Sequence, residues 1–348
     1  MTMTRLHFTA TFCLLMAAAA GSAQAGVGLT QLPGQKGDNP VTVFYPTAAD
    51  DKPVQRGRFT INVAEQGEPK RGNGHLVVIS HGSGGNAWVH SDLARVLVQA
   101  GYVVAMPQHR ADNAADPAKP GPESWKIRPD EVSRAIDAVA QDARFSSLVS
   151  FDKVGMYGMS AGGHTALSMA GGRWSPSKFR DHCVAHIAED FPACVGLATK
   201  LRGNFLDDVK ESVAVSIIRK RFEDETWYTH DDPRIKAVVA GVPAAADFDP
   251  GSLATPRVPL GFVTARGDKW LAPRFHSDAI IQACAPRCEV IADLPTAGHG
   301  ALLSPPPPSQ VLSEIEQDLI GDPPGFDRSA MPEVDRKIAA FFNRHLLP

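Results

Sequence analysis

The 348-residue chain has almost no excess of charge: 35 Lys and Arg face 38 Asp and Glu, a formal net charge of −3. Without a basic footprint nothing draws a polynucleotide, so nucleic acid is not an expected partner. Internal repeats are absent, and 43% hydrophobic with 21% charged residues is globular composition, which excludes disorder, a collagen-like chain or a coiled-coil rod. After the first 25 residues no run is long and apolar enough to cross a bilayer. No Gly-rich turn ends in the Lys-Ser or Lys-Thr of a phosphate-cradling loop, which argues against nucleotide binding.

The first 25 residues read as a secretory signal peptide. Arg5 supplies the positive start, residues 8–20 an apolar run too short to span with margin, and Ala23-Gln24-Ala25 a small-x-small cleavage site before Gly26. The expected product is secreted or periplasmic, with no stable membrane insertion after cleavage. Cysteine is scarce, five in all, and loss of Cys13 leaves Cys183, Cys194, Cys284 and Cys288. An even set in an oxidising compartment allows two disulfides; proximity favours Cys183 with Cys194 and Cys284 with Cys288, with buried free thiols as the alternative. A four-cysteine zinc site is disfavoured, because only Cys284 and Cys288 have the close spacing of a ligand pair.

Two strand-like stretches, 41–45 and 59–63, open the mature chain. From residue 75 onward apolar runs alternate with helix-periodic segments, the pattern of βαβ units around a mostly parallel sheet. The runs are 76–80, 102–106, 154–157, 235–241, 258–264 and 289–294. Leu93, Val96 and Leu97 mark one helix; Pro129 suits the start of another bearing Val132, Ile136 and Val139; a last helix spans about 334–346. Residues 171–232 have no place in the alternation and read as an inserted cap within a single domain, 26–348. The four prolines 305–308 suit a stiff surface spacer.

Gly158-Met159-Ser160-Ala161-Gly162 matches G-x-S-x-G between an apolar strand and a helix-compatible segment, the context of a nucleophile elbow. Ser160 needs a base, and that base an orienting acid; here acid and base follow the serine in chain order. His299, in Ala297-Gly298-His299-Gly300 past the last strand, is the expected base. Asp268, at the end of the preceding strand, is the expected acid, with Asp247 one strand earlier as its competitor. His81-Gly82-Ser83-Gly84-Gly85 follows the first buried strand, where an oxyanion loop belongs, and makes the backbone N–H groups of Ser83 and Ala161 the expected donors. Trp88, His109 and His164 are candidates for contact with substrate, His164 also suiting a packing role.

Together these motifs resemble the α/β-hydrolase superfamily, and within it the dienelactone-hydrolase-like and bacterial platelet-activating-factor-acetylhydrolase-like branch, over residues 75–303. The H-G-x-G-G loop and the later G-Y-x-V-x-x-P-x-H, here residues 101–109, carry the narrower likeness. The resemblance implies a central sheet with helices on both faces and a serine ester hydrolase using Ser160, Asp268 and His299. It implies no metal or organic cofactor and a small-molecule or lipid-like ester as substrate. Dienelactone hydrolases proper are smaller and use cysteine, so serine, the export signal and the cap are departures. Arg110, after His109, would meet either an acidic substrate or Asp112 or Asp116. A lipase, polyester hydrolase or peptidase would use the same triad, and a non-catalytic secreted binding protein could keep the scaffold. None of these motifs bears on oligomeric state.

Overall fold

A computed structural model describes residues 26–348. The leading segment, with its signal-peptide reading and Cys13, lies outside the described residues. Among the described residues twelve strands occur in chain order: β1 (Gly26–Leu32), β2 (Val41–Thr47), β3 (Lys52–Arg56), β4 (Phe59–Glu65), β5 (Leu76–Ser80), β6 (Val103–Pro107), β7 (Val154–Met159), β8 (Arg173–Trp174), β9 (Ile235–Gly241), β10 (Phe248–Asp249), β11 (Leu260–Ala265) and β12 (Cys288–Leu294). Ten form one sheet in the order β12-β11-β9-β7-β5-β6-β2-β1-β4-β3; β8 and β10 make a separate ladder.

From β12 to β6 every pairing is parallel, because each connection passes over a face of the sheet. β2 runs antiparallel to β6 and β1 to β2, and β3 with β4 closes the far edge as an antiparallel pair. Every residue of β5, β7 and β11 is buried, as continuous apolar runs covered on both faces should be. Side-chain alternation along β5 sends Leu76 and Val78 into one core and Val77 and Ile79 into the other. The first core is closed by Pro122–Gln141 and Ala161–Met169, the second by Ser91–Gln99 and Met331–Leu346. The last helix buries Val334, Ile338, Phe341 and Phe342, a stripe at helical spacing.

Sequence periodicity misplaces one helix start. The helix begins at Pro122, after Gly121 with φ 84°, and Pro129 lies inside it. Proline suits the first turn, whose N–H groups lack intrahelical partners, and Pro122 already fills that position. β1 and β3 carry no clear strand pattern in the sequence: β1 has two glycines, and β3 is an edge strand of exposed Lys52 and Pro53.

Residues 171–232 carry three helices, Pro176–His186, Phe191–Val195 and Asp207–Arg221. Cys183 and Cys194 are bonded at 2.08 Å, joining the first two; Cys284 and Cys288 are bonded at 1.95 Å between Ser277–Cys284 and β12. Among the described residues no helix is long and apolar enough to cross a membrane. Among its ties to the main body, Asp190 accepts from His276 at 3.1 Å, as it does from His182 within the segment at 2.8 Å, and Lys200 pairs with Glu314 at 2.5 Å. Burial pushes the Asp190 carboxyl up, but those histidine hydrogen bonds hold it below the usual range.

Candidate active site

Ser160 sits between β7 and the helix Ala161–Met169 with φ 58° and ψ −119°, a left-handed conformation that a serine adopts only when its surroundings impose it. Two backbone hydrogen bonds do so, Ser160 N to Gly241 O at 3.0 Å and Ala244 N to Ser160 O at 3.1 Å. The flanking glycines are steric requirements: a Cβ on Gly158 would stand 1.9 Å from Gly162 O, and one on Gly162 the same distance from Ser80 O.

His299 opens the short turn His299–Leu302 after β12. Its Nε2 lies 3.0 Å from Ser160 Oγ and its Nδ1 2.7 Å from Asp268 Oδ2. The other Asp268 oxygen, Oδ1, accepts from Trp270 N at 2.8 Å and Leu271 N at 2.9 Å. Thus Ser160, His299 and Asp268, 139 and 31 residues apart, form one hydrogen-bonded line. Asp247 is elsewhere: its Oδ2 meets His164 Nε2 at 3.0 Å. Ser83 and Ala161, expected to donate N–H groups, follow Gly82 and Ser160 directly in the chain, and among the described residues neither N–H has a protein acceptor. For Ala161 this follows from its place at the first turn of a helix.

Of the residues suggested for substrate contact, only Trp88 keeps some exposed surface, with the Arg56 guanidinium 5.7 Å from its ring centroid. His164 is fully buried and stacks on Trp125 at 4.4 Å, so it packs rather than lines a pocket. His109 is also fully buried: Nε2 meets Ser80 Oγ and Nδ1 meets Glu131 Oε2, both at 2.7 Å. Burial and the Arg128 charge hold its imidazole well below the usual range. Arg110 meets neither Asp112 nor Asp116. It bonds Glu131 at 3.1 Å and Asp38 at 3.3 Å, because Glu131 in the facing helix already lies against His109.

One contributor had no sequence signal. Arg328 donates to Gly300 O, Ala301 O and Leu303 O at 3.3, 3.1 and 2.7 Å, and so fastens the turn that begins with His299. Among the described residues no group of three or more His, Cys, Asp or Glu is arranged to hold a metal ion.

A mostly parallel sheet with helices on both faces and a strained serine at the strand-to-helix elbow is the architecture of the α/β-hydrolase fold. Residues 63–175 match the model of the dienelactone hydrolase family, a span that contains the 81–85 loop and Ser160 but neither Asp268 nor His299. A solved structure, the ferulic acid esterase from Streptomyces cinnamoneus, is similar with a TM-score of 0.58 over 95% of this chain and 92% of that one, at 17% identity. No curated protein matches the chain. The family match covers 113 of the 348 residues, and the structural likeness at 17% identity shows a shared fold.

Proposed function

We propose that the protein is an exported serine hydrolase that cleaves carboxylic esters through an acyl-enzyme. The supporting observation is the Ser160–His299–Asp268 line at 3.0 and 2.7 Å, with the serine held at φ 58°. Asp268 Oδ2 accepts a hydrogen bond from the Nδ1–H of His299, which keeps that proton on Nδ1 and leaves Nε2 free to accept the Ser160 proton. Ser160 Oγ then bonds the ester carbonyl carbon, and the Ser83 and Ala161 N–H groups face the oxygen that gains negative charge. Collapse breaks the bond to the alcohol oxygen, which leaves with the proton from His299. Water, deprotonated by the same nitrogen, releases the carboxylic acid and restores Ser160. Two cysteine pairs at bonding distance fit an exported chain.

In this reading residues 171–232 form a cap that sets acyl preference. The ties from Asp190 to His276 and from Lys200 to Glu314 support it, since they reach the segments that follow Asp268 and His299. The test is a panel of p-nitrophenyl esters of increasing acyl length, with hydroxycinnamate esters alongside, together with a fluorophosphonate probe. Ser160→Ala is expected to remain folded, to lose labelling and to lose roughly 10³-fold or more of the activity. Labelling of another serine, or equal labelling of the variant, would sink the assignment.

A further inference from the structure

Behind the 81–85 loop lies an ion pair with no exposure to solvent. Arg128 and Asp112 are both wholly buried, with Nη2 2.8 Å from Oδ2. Charges buried this deeply rarely add net stability, because desolvation offsets their attraction, so the pair calls for another account. Its remaining contacts supply one. Arg128 Nη1 donates to His81 O at 2.6 Å, and the other Asp112 oxygen, Oδ1, accepts from Ser83 Oγ and from Gly84 N. The two residues therefore grip the loop on both sides of Gly82.

The grip fixes one peptide plane. Gly82 O receives Gly85 N–H at 3.0 Å and lies 2.7 Å from His81 Nδ1. His81 Nε2 accepts from His109 N at 3.2 Å, which assigns the His81 proton to Nδ1 and makes that nitrogen a second donor to Gly82 O. In a trans peptide the N–H points opposite to the C=O, so turning Gly82 O inward turns Ser83 N–H outward. Gly82 stands against the nucleophile: a Cβ there would lie 3.7 Å from Ser160 Oγ.

We propose that Arg128 and Asp112 are positioning residues that aim the Ser83 N–H at the oxyanion, a role that rests on the serine-hydrolase reading above. Asp112 uses a different oxygen for each side of the grip. An amide has one acceptor oxygen, so Asp112→Asn must leave either the Gly84 N–H or the Arg128 guanidinium without its present acceptor. Ser83→Ala is the milder variant, which removes the hydroxyl tie and keeps the N–H.

The experiment measures kcat per fluorophosphonate-titrated site, KM, and affinity for a trifluoromethyl ketone, which forms a tetrahedral adduct on the serine. Loss of a whole oxyanion donor costs about 10²–10³-fold, so a misdirected one should cost Asp112→Asn roughly 10–100-fold in kcat and Ser83→Ala about 3–10-fold. KM should change less than about threefold, and ketone affinity should fall in parallel with kcat/KM. A purely structural role would lower thermal stability while leaving kcat per titrated site and ketone affinity within about twofold in both variants, and that result overturns the proposal. Should Asp112→Asn fail to fold, Ser83→Ala decides by the same criteria. Failure of the wild type to react with the phosphonate at Ser160 would instead remove the underlying reading, so the two failures are separable.

Discussion

Asp268→Asn changes one atom, and the structure dictates which way the new amide must face. Oδ1 accepts from two backbone N–H groups, Trp270 and Leu271, at 2.8 and 2.9 Å. The amide oxygen must stay there, since the reverse orientation would set an NH2 against two N–H donors and leave both without a partner. The amide nitrogen then faces His299 Nδ1, 2.7 Å from the present oxygen. It donates, Nδ1 becomes the acceptor, and the ring proton moves to Nε2, where it points at Ser160 Oγ instead of accepting from it. Loss of the correct tautomer is worth about 10⁴ in kcat, or about 5 kcal/mol of transition-state stabilisation. Steady-state hydrolysis of a p-nitrophenyl ester measures it, with Asp247→Asn as the comparison. Asp247 faces His164, so its variant should lose less than about tenfold in kcat even where stability falls. A loss under tenfold for Asp268→Asn, or the larger loss for Asp247→Asn, would refute the argument.

Arg328→Ala should lower kcat about tenfold while leaving Ser160 open to phosphonates, because three carbonyls of the His299 turn lose their donor; unchanged kcat would show that the turn holds itself. Replacing Cys183 and Cys194 with Ala should alter the acyl-length profile more than the rate on a short ester, since the bridge lies inside residues 171–232; an identical profile across the panel would remove the cap's role in specificity. Asp335 is raised to about 7, chiefly by burial and also by Asp92, against the Ser304 hydrogen bond. Its contribution is full below the unfolded carboxylate pKa and is lost as pH rises through about 7, so between pH 5 and 8 the wild type should lose about 2–3 kcal/mol more unfolding free energy than Asp335→Asn in urea titrations; parallel pH curves would contradict it.

What the sequence made legible were features written in contiguous residues. β5 and β7 are unbroken apolar runs, and each is followed at once by the glycines that its turn demands. Ser160, Asp268 and His299 could be ordered because each follows a recognisable strand. Illegible were pairings between charges far apart in sequence. Arg110 reaches Asp38 because β2 pairs with β6, and Arg328 folds back onto the carbonyls after His299 from 25 to 28 residues further along the chain. Histidine is the ambiguous residue type: His109 and His164 look like site residues in sequence, yet both are buried with a carboxylate on the ring.

These buried polar groups share a location. Ser80 ends β5 and His81 follows it, His109 follows β6, Ser160 follows β7, and Asp247 and Asp268 follow β9 and β11, all at the carboxyl ends of parallel strands. Elsewhere the sheet buries mainly Val, Leu, Ile and Phe, which cost nothing to desolvate, with a few threonine and tyrosine hydroxyls among them. Replacing a buried ion pair with apolar side chains of similar volume is often neutral or stabilising, so stability alone does not account for Arg128 and Asp112 at this edge. Directed hydrogen bonds supply what apolar packing cannot, a fixed orientation for a single peptide plane, and the plane at stake here is the one beside Ser160.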